Sequence, residues 1–233
     1  MTNFIPKPLL PVVGKPMMEY LLDKIYAVDE IDEVFIVTNN KFYPHFEFWL
    51  GRLKEAGVYD LKITLINDNT IQDGKKLGAI GDMQFVINKC RIDDDLLILA
   101  GDNLFEFNLN EFIDYFDRKR ANVVALRDVK DREVIKRYGV VELNPDNKFL
   151  GFEEKPKEPK STLASTCVYI INKKTLKRIK EYLDKGNNPD VPGNFINWLY
   201  KNDDIYGWVF SESWFDIGSL QQFEEANLKY GGI

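Results

Sequence analysis

The sequence predicts an α/β sandwich on a mostly parallel sheet, and three observations predict it. Short apolar, β-branched runs alternate with stretches of helical period along the whole chain. No internal repeat or low-complexity linker interrupts the alternation, so residues 1–233 read as one domain. Forty-five per cent of the residues are hydrophobic and 13% aromatic, enough for a sizeable core and too many for a disordered chain.

The runs Val34–Thr38, Leu96–Ala100, Val123–Leu126, Gly139–Leu143 and Cys167–Ile171 predict buried strands. Between them, Met18, Leu21, Leu22, Ile25 and Val28 recur on one helical face. Leu109, Phe112, Ile113 and Phe116 form a second such face, and Leu176, Ile179 and Leu183 a third. Ser219, with Gln222 three residues on, forms a capping box that opens a last helix. The proline-punctuated Lys155–Lys160 segment predicts a surface loop inside the domain.

Charge and composition exclude several function classes. Lys+Arg is 31 against Asp+Glu 37, a formal charge of −6, which argues against a nucleic-acid binder. The two cysteines, Cys90 and Cys167, lack CxxC spacing, so neither a disulfide scaffold nor a zinc site is expected. No apolar run is long enough to span a bilayer and no signal peptide is visible, so a cytoplasmic protein with no membrane partner is expected. The single histidine, His45, lies in an aromatic stretch with no serine or cysteine motif around it and reads as structural.

Parallel sheets bind ligands beyond the carboxyl ends of their strands, so the residues following each strand carry most of the functional signal. Gly101-Asp102-Asn103 follows one strand. Asp102 is either a ligand for a hard cation or part of an Asp-Asn turn. Asp216, in Trp214-Phe215-Asp216-Ile217-Gly218, is costly to leave unpaired among bulky apolar residues. A metal, a hydrogen-bond network or a capping role ahead of Ser219 would each satisfy it. In Glu153-Glu154-Lys155-Pro156 the lysine suits a phosphate and the carboxylate suits sugar hydroxyls; a solvated charged turn is the plainer reading. In Lys76-Leu77-Gly78-Ala79-Ile80-Gly81 the glycines admit either a flat base or close helix packing.

Taken in order, PKPLLPVVGKPMMEYLL, LGAIGD, GDNLF, RYGVVELN, EEKPKEPKS and WFDIG resemble the sugar-1-phosphate nucleotidylyltransferases across essentially the whole chain, with glucose-1-phosphate thymidylyltransferase the most similar branch. The resemblance implies a three-layer, Rossmann-like nucleotide-diphospho-sugar transferase architecture. It also implies attack of a sugar 1-phosphate on the α-phosphorus of a nucleoside triphosphate, with pyrophosphate leaving. Such transfers need in-line positioning and neutralised charge rather than a side-chain nucleophile.

Carried over by motif, Lys7 would reach the triphosphate, and Asp102 and Asp216 would hold Mg2+. Lys155 would bind the sugar phosphate, Glu154 would accept from sugar hydroxyls, and Gly139 would offer backbone to the sugar. Gly78 would lie against the base and Thr166 would help line the sugar pocket. The implied partners are a nucleoside triphosphate, with dTTP first, and a sugar 1-phosphate, with glucose 1-phosphate first; the family also allows a homo-oligomer.

Three departures stand out. Cys167 occupies a position where many relatives have glycine, and a base-reading glutamine expected before the LG turn falls in Gln72–Lys76. Relatives also begin with a strand and a glycine-rich loop ending Thr-Arg-Leu, of which Met1–Ile5 resembles only the tail. The expectation is therefore slow turnover by the chain alone, raised by orders of magnitude on adding such a segment. The alternatives are a homologue that binds nucleotide-sugar without turnover, or another α/β enzyme of phosphorylated sugars.

Overall fold

The structure is a computed structural model and describes residues 4–71 and 76–230. The chain opens on a 3-10 turn at Lys7–Leu9, then β1 (Pro11–Val12), β2 (Lys15–Pro16), α1 (Met17–Tyr26), β3 (Glu33–Thr38), α2 (Tyr43–Glu55) and β4 (Lys62–Asn67). There follow α3 (Ala79–Cys90), β5 (Leu96–Leu99), β6 (Asn103–Phe105), α4 (Leu109–Lys119), β7 (Asn122–Asp128), β8 (Gly139–Leu143), β9 (Phe149–Glu154) and β10 (Leu163–Ile171). The last elements are α5 (Lys177–Asp184), α6 (Pro192–Leu199), β11 (Ile205–Phe210), β12 (Trp214–Asp216) and α7 (Leu220–Lys229). None of the described helices is long and apolar enough to cross a membrane.

The packing resolves into two compact units. The first holds the residues up to Leu77, Gly101–Phe105 and the stretch from Phe215; the second holds Gly78–Ala100 and Glu106–Trp214.

In the first unit β3 and β4 pair in parallel, from Glu33↔Lys62 to Thr38↔Asn67, with α2 as their crossover. A parallel neighbour needs a connection of this kind, because a tight turn can only reverse the chain. Helix α1 buries Met17, Leu21, Leu22 and Ile25. The apolar face is the one read from the sequence, except that Met17 takes the buried place expected of Met18. Val12, Met17, Leu104, Ile217, Ala226 and Tyr230 form one core cluster of this unit. The last helix starts as its capping box requires: the Ser219 hydroxyl accepts from the Gln222 N–H at 3.3 Å.

The second unit is built on a six-stranded sheet ordered β11-β7-β10-β8-β9, with β5 also on β10. The α/β class holds, but the pairing is mixed rather than mostly parallel. β11 runs parallel to β7, whereas β10 runs antiparallel to β5, β7 and β8, and β8 antiparallel to β9. The cause for the last pair is the short connection at 144–148, which closes a hairpin and leaves no room for a crossover. The core packs on one face of the sheet, with Val124, Leu126, Tyr169, Ile179, Phe195 and Ile196 all 2% exposed or less. Each such side chain contributes about 1.5–3 kcal/mol of burial.

Candidate active site

The first unit gathers Lys7, Asp102 and Asp216. Pro6 is extended and Pro8 follows Lys7 into the 3-10 turn, closed by Leu9 N–H to Pro6 carbonyl at 3.0 Å and Leu10 N–H to Lys7 carbonyl at 2.9 Å. The turn lies directly on Gly101, where a Cβ would meet the Pro8 ring at 2.9 Å. Glycine at 101 is thus what lets the lysine-bearing turn approach the strand end. The outcome is a Lys7 Nζ 3.8 Å from Asp102 Oδ2, both side chains about one-third exposed.

Asp216 lies 114 residues further along the chain than Asp102, and two features bring the pair together. β12 pairs with β6, and the Ile217 N–H donates to the Asp102 carbonyl at 2.9 Å. Between the two carboxylates sits Asn103, only 3% exposed. Its amide donates to Asp102 Oδ1 at 3.1 Å and reaches Asp216 Oδ1 at 3.5 Å. Asp216 is therefore not the cap of α7; that role belongs to Ser219. Asn103 was missed in the sequence. Its adjacency to Asp102 is visible there, but nothing local says that it faces Asp216.

The two carboxylates offer an all-oxygen donor set suited to a hard cation, with the Lys7 ammonium beside Asp102. Mg2+ typically takes one or two protein carboxylates and completes its octahedron with water and substrate phosphate. Among the described residues no group of three or more His, Cys, Asp or Glu forms a closed cage. An open two-carboxylate site suits a metal that arrives with a phosphorylated substrate.

The second unit gathers Gly139, Glu154 and Lys155. Gly139 and Glu154 face each other across β8 and β9. A Cβ on Gly139 would stand 2.5 Å from the Phe152 ring and 3.1 Å from Glu154 Oε2. Glu154 is partly buried, and desolvation raises its carboxyl above the ordinary range while the Lys155 charge draws it back. Lys155 is exposed and its backbone is left-handed at φ 48, held by its N–H donating to the Tyr138 carbonyl at 3.0 Å. A lysine in that region is strained by roughly 1 kcal/mol or more.

Thr166 has a structural tie inside the sheet. It is fully buried, and its hydroxyl donates to the Ala125 carbonyl at 2.9 Å. It ties β10 to β7 at the bulge between Ser165 and Tyr169. Inside that bulge Cys167 is left-handed at φ 55, and the Tyr169 hydroxyl donates to its Sγ at 3.3 Å. Burial pushes the Tyr169 hydroxyl well above its ordinary pKa, so it stays a donor. A left-handed backbone favours glycine; Cys167 adopts it with a side chain.

Gly78 has a packing reason of its own. Its φ is 77, and a Cβ would lie 2.5 Å from the Pro189 carbonyl oxygen, which also accepts from the Ile80 N–H at 2.8 Å. The absence of a side chain at 78 is thus explained without a base. Of the loop expected to read the base, Gln72–Lys75 lies outside the described residues, as do Met1–Asn3 at the front.

With this geometry in place, comparison with known proteins decides the family. The sequence profile of the nucleotidyl transferase family matches residues 1–232. The chain belongs to that family. Among solved structures, this family member is similar to one described as a glucose-1-phosphate thymidylyltransferase from Bacillus anthracis in complex with sucrose, at TM-score 0.84 and 27% identity, over 100% of this chain and 89% of that one. A UDP-glucose pyrophosphorylase complexed with UDP-glucose shares the fold at TM-score 0.79 and 19% identity, over 98% of this chain and 91% of that one. Among curated proteins, a glucose-1-phosphate adenylyltransferase from Clostridium acetobutylicum is 36% identical over 57% of this chain. The bifunctional protein GlmU from Methanocaldococcus jannaschii is 27% identical over 97% of it. The chain spans 36% and 50% of the length of these two relatives.

Proposed function

We propose that this family member transfers a nucleotidyl group from a nucleoside triphosphate to a sugar 1-phosphate, releasing pyrophosphate and forming a nucleotide-sugar. One observation carries the proposal: Asp102 and Asp216, distant in sequence, share the Asn103 amide while Lys7 stands 3.8 Å from Asp102. In this reading the two aspartates hold Mg2+, which when bound would neutralise phosphate charge and orient the triphosphate. Lys7 places a positive charge beside the same phosphates and opposes the negative charge that grows in the transition state. Its proline-flanked turn limits the entropy lost in doing so.

Lys155 binds the phosphate of the acceptor sugar, and the Glu154 carboxylate accepts from sugar hydroxyls. Among the described residues no hydrogen bond or salt bridge engages that carboxylate, so its acceptor capacity is open to a ligand. Gly139 keeps the strand beside it free of a side chain. The similarity to a thymidylyltransferase and to glucose-1-phosphate enzymes makes dTTP with glucose 1-phosphate the first substrate pair of the proposal.

The test is pyrophosphate release across a panel of nucleoside triphosphates and sugar 1-phosphates, with and without Mg2+. The expected result is Mg2+-dependent release with one preferred pair. Release from no pair, including with a strand and glycine-rich, arginine-containing loop fused in front of Thr2, would reject transfer.

A further inference from the structure

Glycine at position 193 costs this protein helix stability, and the reason it is there points to a role. Gly193 is the second residue of α6, directly after Pro192, and it is buried. Its φ is not left-handed, so no backbone conformation demands glycine. At an ordinary helical position alanine is the better helix former. What excludes alanine is a specific neighbour: a Cβ on Gly193 would lie 2.0 Å from Glu154 Oε2 and 3.0 Å from Glu154 Cδ, with the Phe152 ring at 3.2 Å. The same Oε2 lies 3.1 Å from where a Cβ on Gly139 would stand. Glycines on two separate elements, β8 and α6, therefore leave the space that one carboxylate oxygen occupies.

We infer that Gly193 is a positioning residue for Glu154: with Gly139 it forms a two-sided glycine cradle that sets where the carboxylate meets the hydroxyls of the acceptor sugar. The inference rests on the reading of Glu154 as the sugar acceptor. A carboxylate with no hydrogen-bond partner among the described residues relies on the shape of its surroundings to fix its rotamer. Desolvation in the same cradle raises its pKa. The clash introduced by a methyl at 193 falls on the far end of a flexible side chain. The fold can keep its backbone and move the carboxylate instead.

That separation makes the inference testable in the 233-residue chain. Glucose 1-phosphate binding is measured by calorimetry for wild type, G193A, E154A and E154A/G193A, with thermal melts of each. The Glu154 carboxyl is titrated by carbon NMR in wild type and G193A, its signal assigned by its loss in E154Q. In G193A the dissociation constant should rise about 10-fold, the loss of a hydrogen bond to a charged group, while the melting temperature holds or rises. Adding G193A to E154A should weaken binding no further, because the two act through one carboxylate. The Glu154 titration should move toward the ordinary range in G193A as the displaced carboxylate gains water.

Unchanged binding with an unmoved titration in G193A would overturn the inference. So would an equal further loss when G193A is added to E154A. If wild type does not bind glucose 1-phosphate, the reading of Glu154 as sugar acceptor fails; the titration, which needs no ligand, still supports or overturns the cradle.

Discussion

The two clusters of acidic residues are held in opposite ways. In the first unit, Asp102 and Asp216 are anchored by other groups: the Asn103 amide lies between them, the Ile217 N–H fixes the Asp102 carbonyl, and Lys7 balances the charge. In the second unit, no hydrogen bond or salt bridge among the described residues engages the Glu154 carboxylate; glycines at 139 and 193 shape the space around it, burial raises its pKa and the Lys155 charge lowers it. The difference follows from what each would bind. A cation site must hold two like charges close together before the ion arrives, so it needs donors and a counter-charge. A hydroxyl acceptor must keep its lone pairs unspent, so it needs walls rather than partners.

The comparison can be broken most sharply at Asp216. Asp216→Asn removes a metal ligand while keeping size and polarity, and should cut Mg2+-dependent pyrophosphate release by on the order of 100-fold or more. Circular dichroism and melting temperature should scarcely change; unchanged release would remove Asp216 from the site. The next largest effect is expected at Lys155. Lys155→Ala should weaken glucose 1-phosphate binding by roughly 10- to 100-fold, the value of a charge-assisted phosphate contact. Binding equal to wild type would return the segment to a solvated turn.

Asn103→Ala sharpens the contrast, since it removes a donor shared by two acids without touching either. Metal affinity should fall about 10-fold, as for other residues that orient ligands. If the aspartates need no such donor, affinity will be unaltered.

The smallest effect concerns pH. The folded-state pKa of Glu154 is raised, so between the ordinary carboxyl value and the raised one the folded protein binds more protons than the unfolded chain. Stability therefore falls as pH rises through that window, and the deficit persists at neutral pH. Glu154→Gln carries no charge at any pH, so its melting temperature should climb relative to wild type across the same window. Parallel melting curves across the window would show that Glu154 is not desolvated.

How much of this was legible in the sequence depends on how local each signal is. The Gly139–Leu143 strand and the Ser219–Gln222 cap were legible because residue type at short spacing fixes them. The mostly parallel pairing expected is met by β3 with β4 and β7 with β11 but not by β10, which runs antiparallel to β5, β7 and β8; strand direction is set by the path of the connections, which no single strand's residues reveal. The start of β10 at Leu163 was also missed, since Ala164, Ser165 and Thr166 do not look like a strand until their burial is seen. Asp102 and Asp216 were identified by resemblance, whereas Asn103 and Gly193 matter only through neighbours 113 and 39 residues away, a relation no window of sequence contains.

The central claim is that Asp102 and Asp216 hold one divalent cation together. Its most direct test is Mn2+ binding, followed by electron paramagnetic resonance in the presence of dTTP, for wild type, Asp102→Asn and Asp216→Asn. The account predicts that either substitution alone removes most of the bound Mn2+ signal. Retention of wild-type Mn2+ binding in either variant would contradict it.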